Sequence, residues 1–221
     1  MTAVNTAPRA LGLRERNKRD KLKRIKDAAQ TLFVAKGFDD ATMREIAQRA
    51  GVGLGTIFLY AENKRDLLFL TINEELEAVT QKAEDSIDAS AALMDNLLTI
   101  AKVHYEFFGR QPALSRLVLR EMAFYDSGAQ ARPFQLTRDR LIKLFGSVIE
   151  QAAKRKLVSL PESPQFIGWT IFCIFQVELR RWLSNDELKP RAGLRALERA
   201  LTLLIVGLKT PRRNSIESRQ V

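Results

Sequence analysis

Thr42-Met43-Arg44-Glu45-Ile46-Ala47-Gln48-Arg49-Ala50-Gly51-Val52-Gly53-Leu54-Gly55-Thr56-Ile57-Phe58-Leu59-Tyr60 is the stretch on which the reading of the chain turns. The Thr42 hydroxyl is placed to accept from the Glu45 amide while the Glu45 carboxylate reaches back, a reciprocal cap that starts a helix. Behind it, Met43, Ile46, Ala47 and Ala50 follow the i, i+3, i+4, i+7 spacing of one packed face, which leaves Arg44, Gln48 and Arg49 to water or a partner. Gly51 allows the left-handed residue that ends such a helix, and a second short segment runs from Leu54 to Tyr60. Two helices joined by a glycine-containing turn make a helix-turn-helix, whose second member enters the major groove of DNA.

Working outward, Leu22, Ile25, Ala29, Leu32 and Phe33 predict a preceding helix over 21–36, stopped by Gly37. Asn63 offers a side-chain cap to a following helix that starts near Lys64 and runs to about Lys82. Ahead of all this lies a basic run. Between Arg9 and Lys26, Arg9, Arg14, Arg16, Lys18, Arg19, Lys21, Lys23, Arg24 and Lys26 are opposed only by Glu15 and Asp20. The whole chain of 221 residues carries a formal charge of +10, a surplus that attracts nucleic acid or anionic lipid.

Other function classes lack their parts. His104 is the single histidine and Cys173 the single cysteine, so no intramolecular disulfide or cysteine-rich metal site can form, and with no nucleophile-elbow, P-loop or zinc-binding spacing neither enzyme activity nor a cofactor or metal is expected. The N-terminus has no apolar targeting core, and the longest apolar stretch, Phe166 to Val177, is too short to span a bilayer before Glu178, Arg180 and Arg181. A cytoplasmic protein without membrane attachment is expected.

Beyond Leu70 the pattern is helical throughout, with breaks near 89–91, 109–112, 126–133, 159–164 and 184–190 marked by Gly, Pro, Ser and Asp. Roughly five helices fit between and after these breaks, for an all-α chain of about nine helices. Four segments are expected: a flexible basic arm over 1–15, the helix-turn-helix domain over 16–66, an effector-binding and dimerising domain over 67–208, and a loose tail over 209–221. In the body, Phe107, Phe108, Met122, Tyr125, Phe145, Trp169, Phe172 and Cys173, with the polar groups of His104 and Gln176, are candidates for lining an apolar ligand pocket, although for any one of them a packed or hydrogen-bonded place in the core is the commoner outcome. The last two helices, rich in Leu and aromatic residues, are the natural four-helix interface of a homodimer.

The segments Gly37-Phe38-Asp39-Asp40-Ala41-Thr42-Met43-Arg44-Glu45-Ile46-Ala47, Ala50-Gly51-Val52-Gly53-Leu54-Gly55-Thr56-Ile57-Phe58-Leu59-Tyr60 and Asn63-Lys64-Arg65-Asp66-Leu67-Leu68, in that order, closely resemble the headpiece of the TetR family of transcriptional regulators. The resemblance implies a homodimer that reads a palindromic operator in double-stranded DNA and is released by a small molecule bound in the body. By position it makes Thr42 a phosphate anchor, Arg44 a reader of guanine, Gly53, Leu54, Gly55, Thr56, Phe58, Leu59 and Tyr60 the groove-facing segment, and Lys64 a phosphate contact. Family members often carry Ser at position 53, a polar or basic residue at 54, Tyr at 58 and His or Arg at 59. With Gly53, Leu54, Phe58 and Leu59 in those places, the recognition segment is poor in donors. Base discrimination is then expected to lean on Arg44, Thr56, thymine methyl contacts and DNA shape. The competing expectation is a DNA-binding architectural or protein-recruiting factor with no small-molecule effector.

Overall fold

The computed structural model describes residues 12–209, all-α, in ten α-helices and one 3-10 turn. The expected arm up to residue 11, with Arg9, and the tail from 210 lie outside the described residues. Two compact units emerge. One takes the chain up to Ile72 together with Ser127–Ala131, and the other takes Asn73–Asp126 and Arg132 onward.

The first unit is built on α1 (Leu13–Lys36), α2 (Met43–Ala50), α3 (Leu54–Phe58) and α4 (Lys64–Leu70). Its centre is apolar and local: Ile25, Ala29 and Phe33 of α1, Ile46 of α2, Ile57 of α3 and Leu67 of α4 are fully buried. The Phe33 and Phe38 rings lie 5.5 Å apart, closing the α1–α2 corner. The first helix begins eight residues earlier than its apolar spacing predicts. Leu13 to Asp20 is wholly exposed, so no burial signals those turns, and their Arg, Glu and Lys residues are good helix formers.

The second unit contains α5 (Asn73–Asp85), α6 (Leu93–Arg110), α7 (Pro112–Glu121) followed by the 3-10 turn at Met122–Phe124, α8 (Ala131–Lys154, whose first residue belongs to the other unit), α9 (Pro164–Leu183) and α10 (Pro190–Lys209). All five expected breaks fall between these helices. The single helix expected from Lys64 to Lys82 is instead two. The amides of Thr71 and Ile72 bond Leu68 and Phe69, three residues back, and the Thr71 hydroxyl donates to the Leu68 carbonyl at 2.7 Å, so the α-helical ladder lapses before Asn73. A β-branched pair with a competing hydroxyl is a local reason for that lapse.

Packing in the second unit is aromatic at its heart. The Tyr105 ring stacks on Trp182 at 4.8 Å, and Phe175 meets His104, Tyr105 and Phe145 at 5.7, 6.1 and 5.9 Å. Helices α8 and α9 cross where Gly146 and Gly168 bring their backbones together; a Cβ on Gly168 would sit 2.6 Å from the Gly146 nitrogen.

Candidate DNA-binding face and effector cavity

The capping box forms as the sequence predicts. The Glu45 amide donates to Thr42 Oγ1 at 3.2 Å, and Glu45 Oε2 accepts from the Thr42 amide at 3.0 Å and from its hydroxyl at 2.9 Å. The Lys36 ammonium donates to the other carboxylate oxygen, and this bond, with those from Thr42, holds the Glu45 carboxyl down at about 2. At the other end of α2, Gly51 takes φ +63°, its amide bonds Gln48 and that of Val52 bonds Ala47. The two caps fix the direction in which the chain leaves α2 for α3.

Helix α3 is anchored by one side chain and presents the rest. Ile57 is fully buried, whereas Leu59 is 81% and Phe58 50% exposed. Gly53 and Gly55 are exposed, and Leu54, Thr56 and Tyr60 partly so. Thr42 and Arg44 at the start of α2 are exposed as well, and the charged residues of α1 from Arg14 to Arg24 face solvent. Leu59 and Phe58 are thus large apolar groups left exposed on a short helix that is anchored from behind by Ile57.

Lys64 is placed differently from a free phosphate ligand. Its ammonium donates to the Asp39 carbonyl at 2.7 Å and lies 4.9 Å from the centre of the Phe38 ring, so it ties the start of α4 to the α1–α2 corner. An ammonium has three donors, and this bond uses one of them.

Asp66 is a residue whose part the sequence does not announce. It is completely buried, and its carboxylate accepts from the Glu62 amide at 2.9 Å, the Ala129 amide at 3.1 Å and the Gln130 amide at 2.6 Å. Its own amide is capped by Asn63 at 2.9 Å, and the Gln130 side chain donates to the Tyr60 carbonyl at 3.2 Å. The chain from 127 to 131 is thereby clasped to α4. Gly128 makes the approach possible: its φ is +109°, and a Cβ there would lie 2.7 Å from Asp66 Oδ1. Ala129 and Gln130 lie more than 60 positions from the residues they bond, beyond the reach of any local pattern.

In the second unit a small cavity of about 20 Å3 is lined by Leu76, Thr80, His104, Phe108, Met122, Phe134, Thr137, Arg138, Leu141, Phe172, Phe175 and Gln176. Of the residues singled out from sequence, His104, Phe108, Met122, Phe172 and Gln176 meet here. Phe145 and Tyr125 are buried among other aromatic rings, Phe107 lies edge-on to Phe108, Cys173 is half-buried, and Trp169 is 52% exposed; none of these five lines the cavity. The α9 periodicity accounts for the division: Phe172, Phe175 and Gln176 point inward, while Phe166, Trp169 and Val177 form an exposed apolar stripe. A larger open groove, about 420 Å3, lies between Leu93, Met94, Leu157, Val158, Ile205 and Val206, and its lining is nearly all apolar.

His104 is buried, and its Nδ1 lies 2.8 Å from the Ile100 carbonyl. A carbonyl only accepts, so Nδ1 carries the proton and Nε2 is a bare acceptor in the neutral ring. Burial lowers the imidazole to about 4, against a smaller opposing effect of the Ile100 bond, so the ring is neutral at ordinary pH.

The sequence model of bacterial regulatory proteins of the tetR family matches residues 25–70, from the middle of α1 to the end of α4, the span that carries these caps and the exposed face of α3. Over 194 residues the chain is 31% identical to the fatty acid metabolism regulator protein of Bacillus subtilis, covering 87% of this chain and 98% of that one. The chain belongs to the TetR family. Other relatives of this TetR-family regulator include the transcriptional repressor KstR of Mycobacterium tuberculosis, 27% identical over 85% of this chain and 81% of KstR. Among solved structures, FadR of B. subtilis in complex with stearoyl-CoA superposes with a TM-score of 0.66 at 21% identity, over 84% of this chain and 98% of that one. FadR of Thermus thermophilus in complex with lauroyl-CoA gives 0.65 at 21% identity, over 89% and 100%. The protein is a DNA-binding transcriptional regulator of the helix-turn-helix type. Among the described residues no helix is long and apolar enough to cross a membrane, and no group of three potential metal ligands gathers.

Proposed function

We propose that this TetR-family protein is a repressor rather than an enzyme, acting in the cytoplasm, that binds a palindromic operator as a homodimer and leaves it when a fatty-acyl thioester enters the body. The observation that carries the DNA reading is the exposure of Phe58 and Leu59 on a helix pinned from behind by Ile57. Thr42, Arg44, Gly53, Leu54, Gly55, Thr56, Phe58, Leu59 and Tyr60 form the contact set. Arg44 is the residue for a guanine edge, and Leu59 and Phe58 are suited to thymine methyl groups. Lys64 braces the α1–α2 corner and keeps two donors for phosphate.

The dimer is assigned to α9 and α10. Phe166, Trp169 and Val177 on α9 and Leu203 and Val206 on α10 are large apolar residues more than half exposed, the kind of patch a two-fold interface covers. The acyl class of effector follows the B. subtilis and T. thermophilus relatives and the apolar lining around Phe108, Met122, Leu141 and Phe172. Domain limits follow the break at Thr71–Ile72, with the DNA-binding part ending there and the effector-binding part beginning at Asn73.

The test is direct. Operator sequences are selected from random duplexes with the full chain, and the enriched site is titrated with lauroyl-CoA and stearoyl-CoA while anisotropy is read. A palindrome bound by two chains and released by an acyl-CoA, but not by CoA alone, is the expected result. Enrichment of a palindrome with no release by any acyl-CoA leaves a DNA-binding factor without this effector.

A further inference from the structure

The cavity beside His104 has an excess of hydrogen-bond acceptors. Gln176 is 8% exposed, and its Oε1 is fully buried without a partner, although the Thr137 hydroxyl and the Arg138 guanidinium share the lining. His104 Nε2 is 3.4 Å from Thr80 Oγ1, but that hydroxyl donates its single proton to the Leu76 carbonyl at 2.9 Å. One proton therefore serves two acceptors, and the imidazole nitrogen receives at best a long, shared bond. Nδ1 cannot turn inward to help, because it is committed to the Ile100 carbonyl. A buried acceptor left without a donor is costly, and a group that supplies one recovers that cost.

We propose that the effector cavity selects an acyl chain bearing a hydroxyl, the hydroxyl donating its one proton to Gln176 Oε1 beside His104 while the rest of the chain lies among Phe108, Met122, Leu141 and Phe172. The inference rests on the acyl-effector reading above and narrows it. The cavity of about 20 Å3 is of the size of one small polar group, so the hydroxyl fits as the side chains stand. The acyl chain requires flexible neighbours to move, for which the unbranched Met122 is suited. Specificity follows from the donor count. A hydroxyl gives its proton to Gln176 Oε1; a methylene leaves that oxygen unanswered; a ketone at the same carbon sets a further acceptor against it. The order of affinity at that carbon is hydroxyl, then methylene, then ketone.

The experiment uses the full chain and a series of twelve-carbon acyl-CoA probes: dodecanoyl-CoA, its hydroxy isomers with the hydroxyl moved along the chain, and the matching oxo compounds. Affinities are read by calorimetry. One hydroxy isomer is expected to bind about tenfold more tightly than dodecanoyl-CoA, and its oxo counterpart more weakly than either. In Gln176→Leu the preference for that isomer over dodecanoyl-CoA should vanish. The ligand series on the unaltered protein stands by itself if the variant fails to fold. Dodecanoyl-CoA binding with no isomer preferred, an oxo compound preferred, or a hydroxyl preference that survives Gln176→Leu would each overturn this inference and leave the acyl-effector reading intact. Failure of every acyl-CoA to bind would overturn both.

Discussion

The headpiece and the body of this protein are both all-helical, but they are held together by different kinds of contact. In the headpiece the bonds that set α2 and α3 are short-range, the Asp66 clasp to Ala129 and Gln130 being the exception. Thr42 caps Glu45, Gly51 closes α2, Asn63 caps Asp66, and the core residues Phe33, Ile46, Ile57 and Leu67 all fall between residues 33 and 67. In the body the decisive contacts join distant helices: Tyr105 with Trp182, His104 with Phe175, Arg116 with the Leu183 carbonyl at 2.7 Å. Chemistry encoded in caps and turns can be read residue by residue, whereas chemistry encoded in packing between remote helices requires the fold first.

The largest test of that contrast removes a core ring from each region. Phe33→Ala and Phe175→Ala each delete a ring that is at most 1% exposed and should cost about 3–5 kcal/mol. Urea unfolding followed by circular dichroism measures this. If the headpiece and body fold independently, Phe33→Ala will abolish operator binding while leaving acyl-CoA binding in place, and joint loss of both would show that the division fails.

Next in size is the pH dependence set by His104. Its folded value of about 4 lies below the ordinary 6.5, so the unfolded chain binds more protons between those values. The stability contributed by keeping the ring neutral is present above pH 6.5 and drains away as pH falls toward 4, by at most ~3 kcal/mol. Unfolding titrations from pH 7 to pH 4 should show this component, and His104→Phe should lack it. An unchanged pH slope in the variant would mean that the loss comes from other groups.

A smaller loss is expected from Asp66→Ala. The amides of Glu62, Ala129 and Gln130 lose their acceptor in a buried place, at a cost of about 2–3 kcal/mol. Asp66→Asn, which retains one acceptor oxygen, should cost less, and the pair of variants is compared by thermal unfolding. The smallest effect belongs to the exposed cap: Thr42→Ala should cost about 1 kcal/mol, with Thr42→Ser restoring most of it. Equal losses for Asp66→Ala and Thr42→Ala would erase the difference drawn here between a buried long-range clasp and a local cap.

The same difference explains what the sequence discloses. The α2 cap and the glycine turn were both legible, since each depends on residues within one helical turn of its partner. The five breaks in the body were legible from Gly, Pro and Ser. The early start of α1 was not, because an exposed helix leaves no apolar periodicity. Nor was the lapse at Thr71–Ile72, where a hydroxyl competes with the backbone. In the cavity, His104, Phe108, Met122, Phe172 and Gln176 could be chosen by type, but Thr80, Thr137 and Phe134 could not be told from any other helix residue. Trp169 and Cys173 share a helix with the lining residues and face away from them, a distinction of rotation about the α9 axis. Asp66 is indistinguishable by sequence from an ordinary first-turn acid, because the amides it holds come from the chain around Gly128.

The central claim is that the outer surface of α3 meets duplex DNA, and Leu59→Glu tests it most directly. Leu59 is 81% exposed, so the substitution leaves the core untouched and the unfolding midpoint should not move. A carboxylate set against phosphates and base edges should weaken binding to the selected operator by about 100-fold or more, read by anisotropy at fixed salt. A folded Leu59→Glu protein that binds the operator as tightly as the unaltered chain would contradict the account.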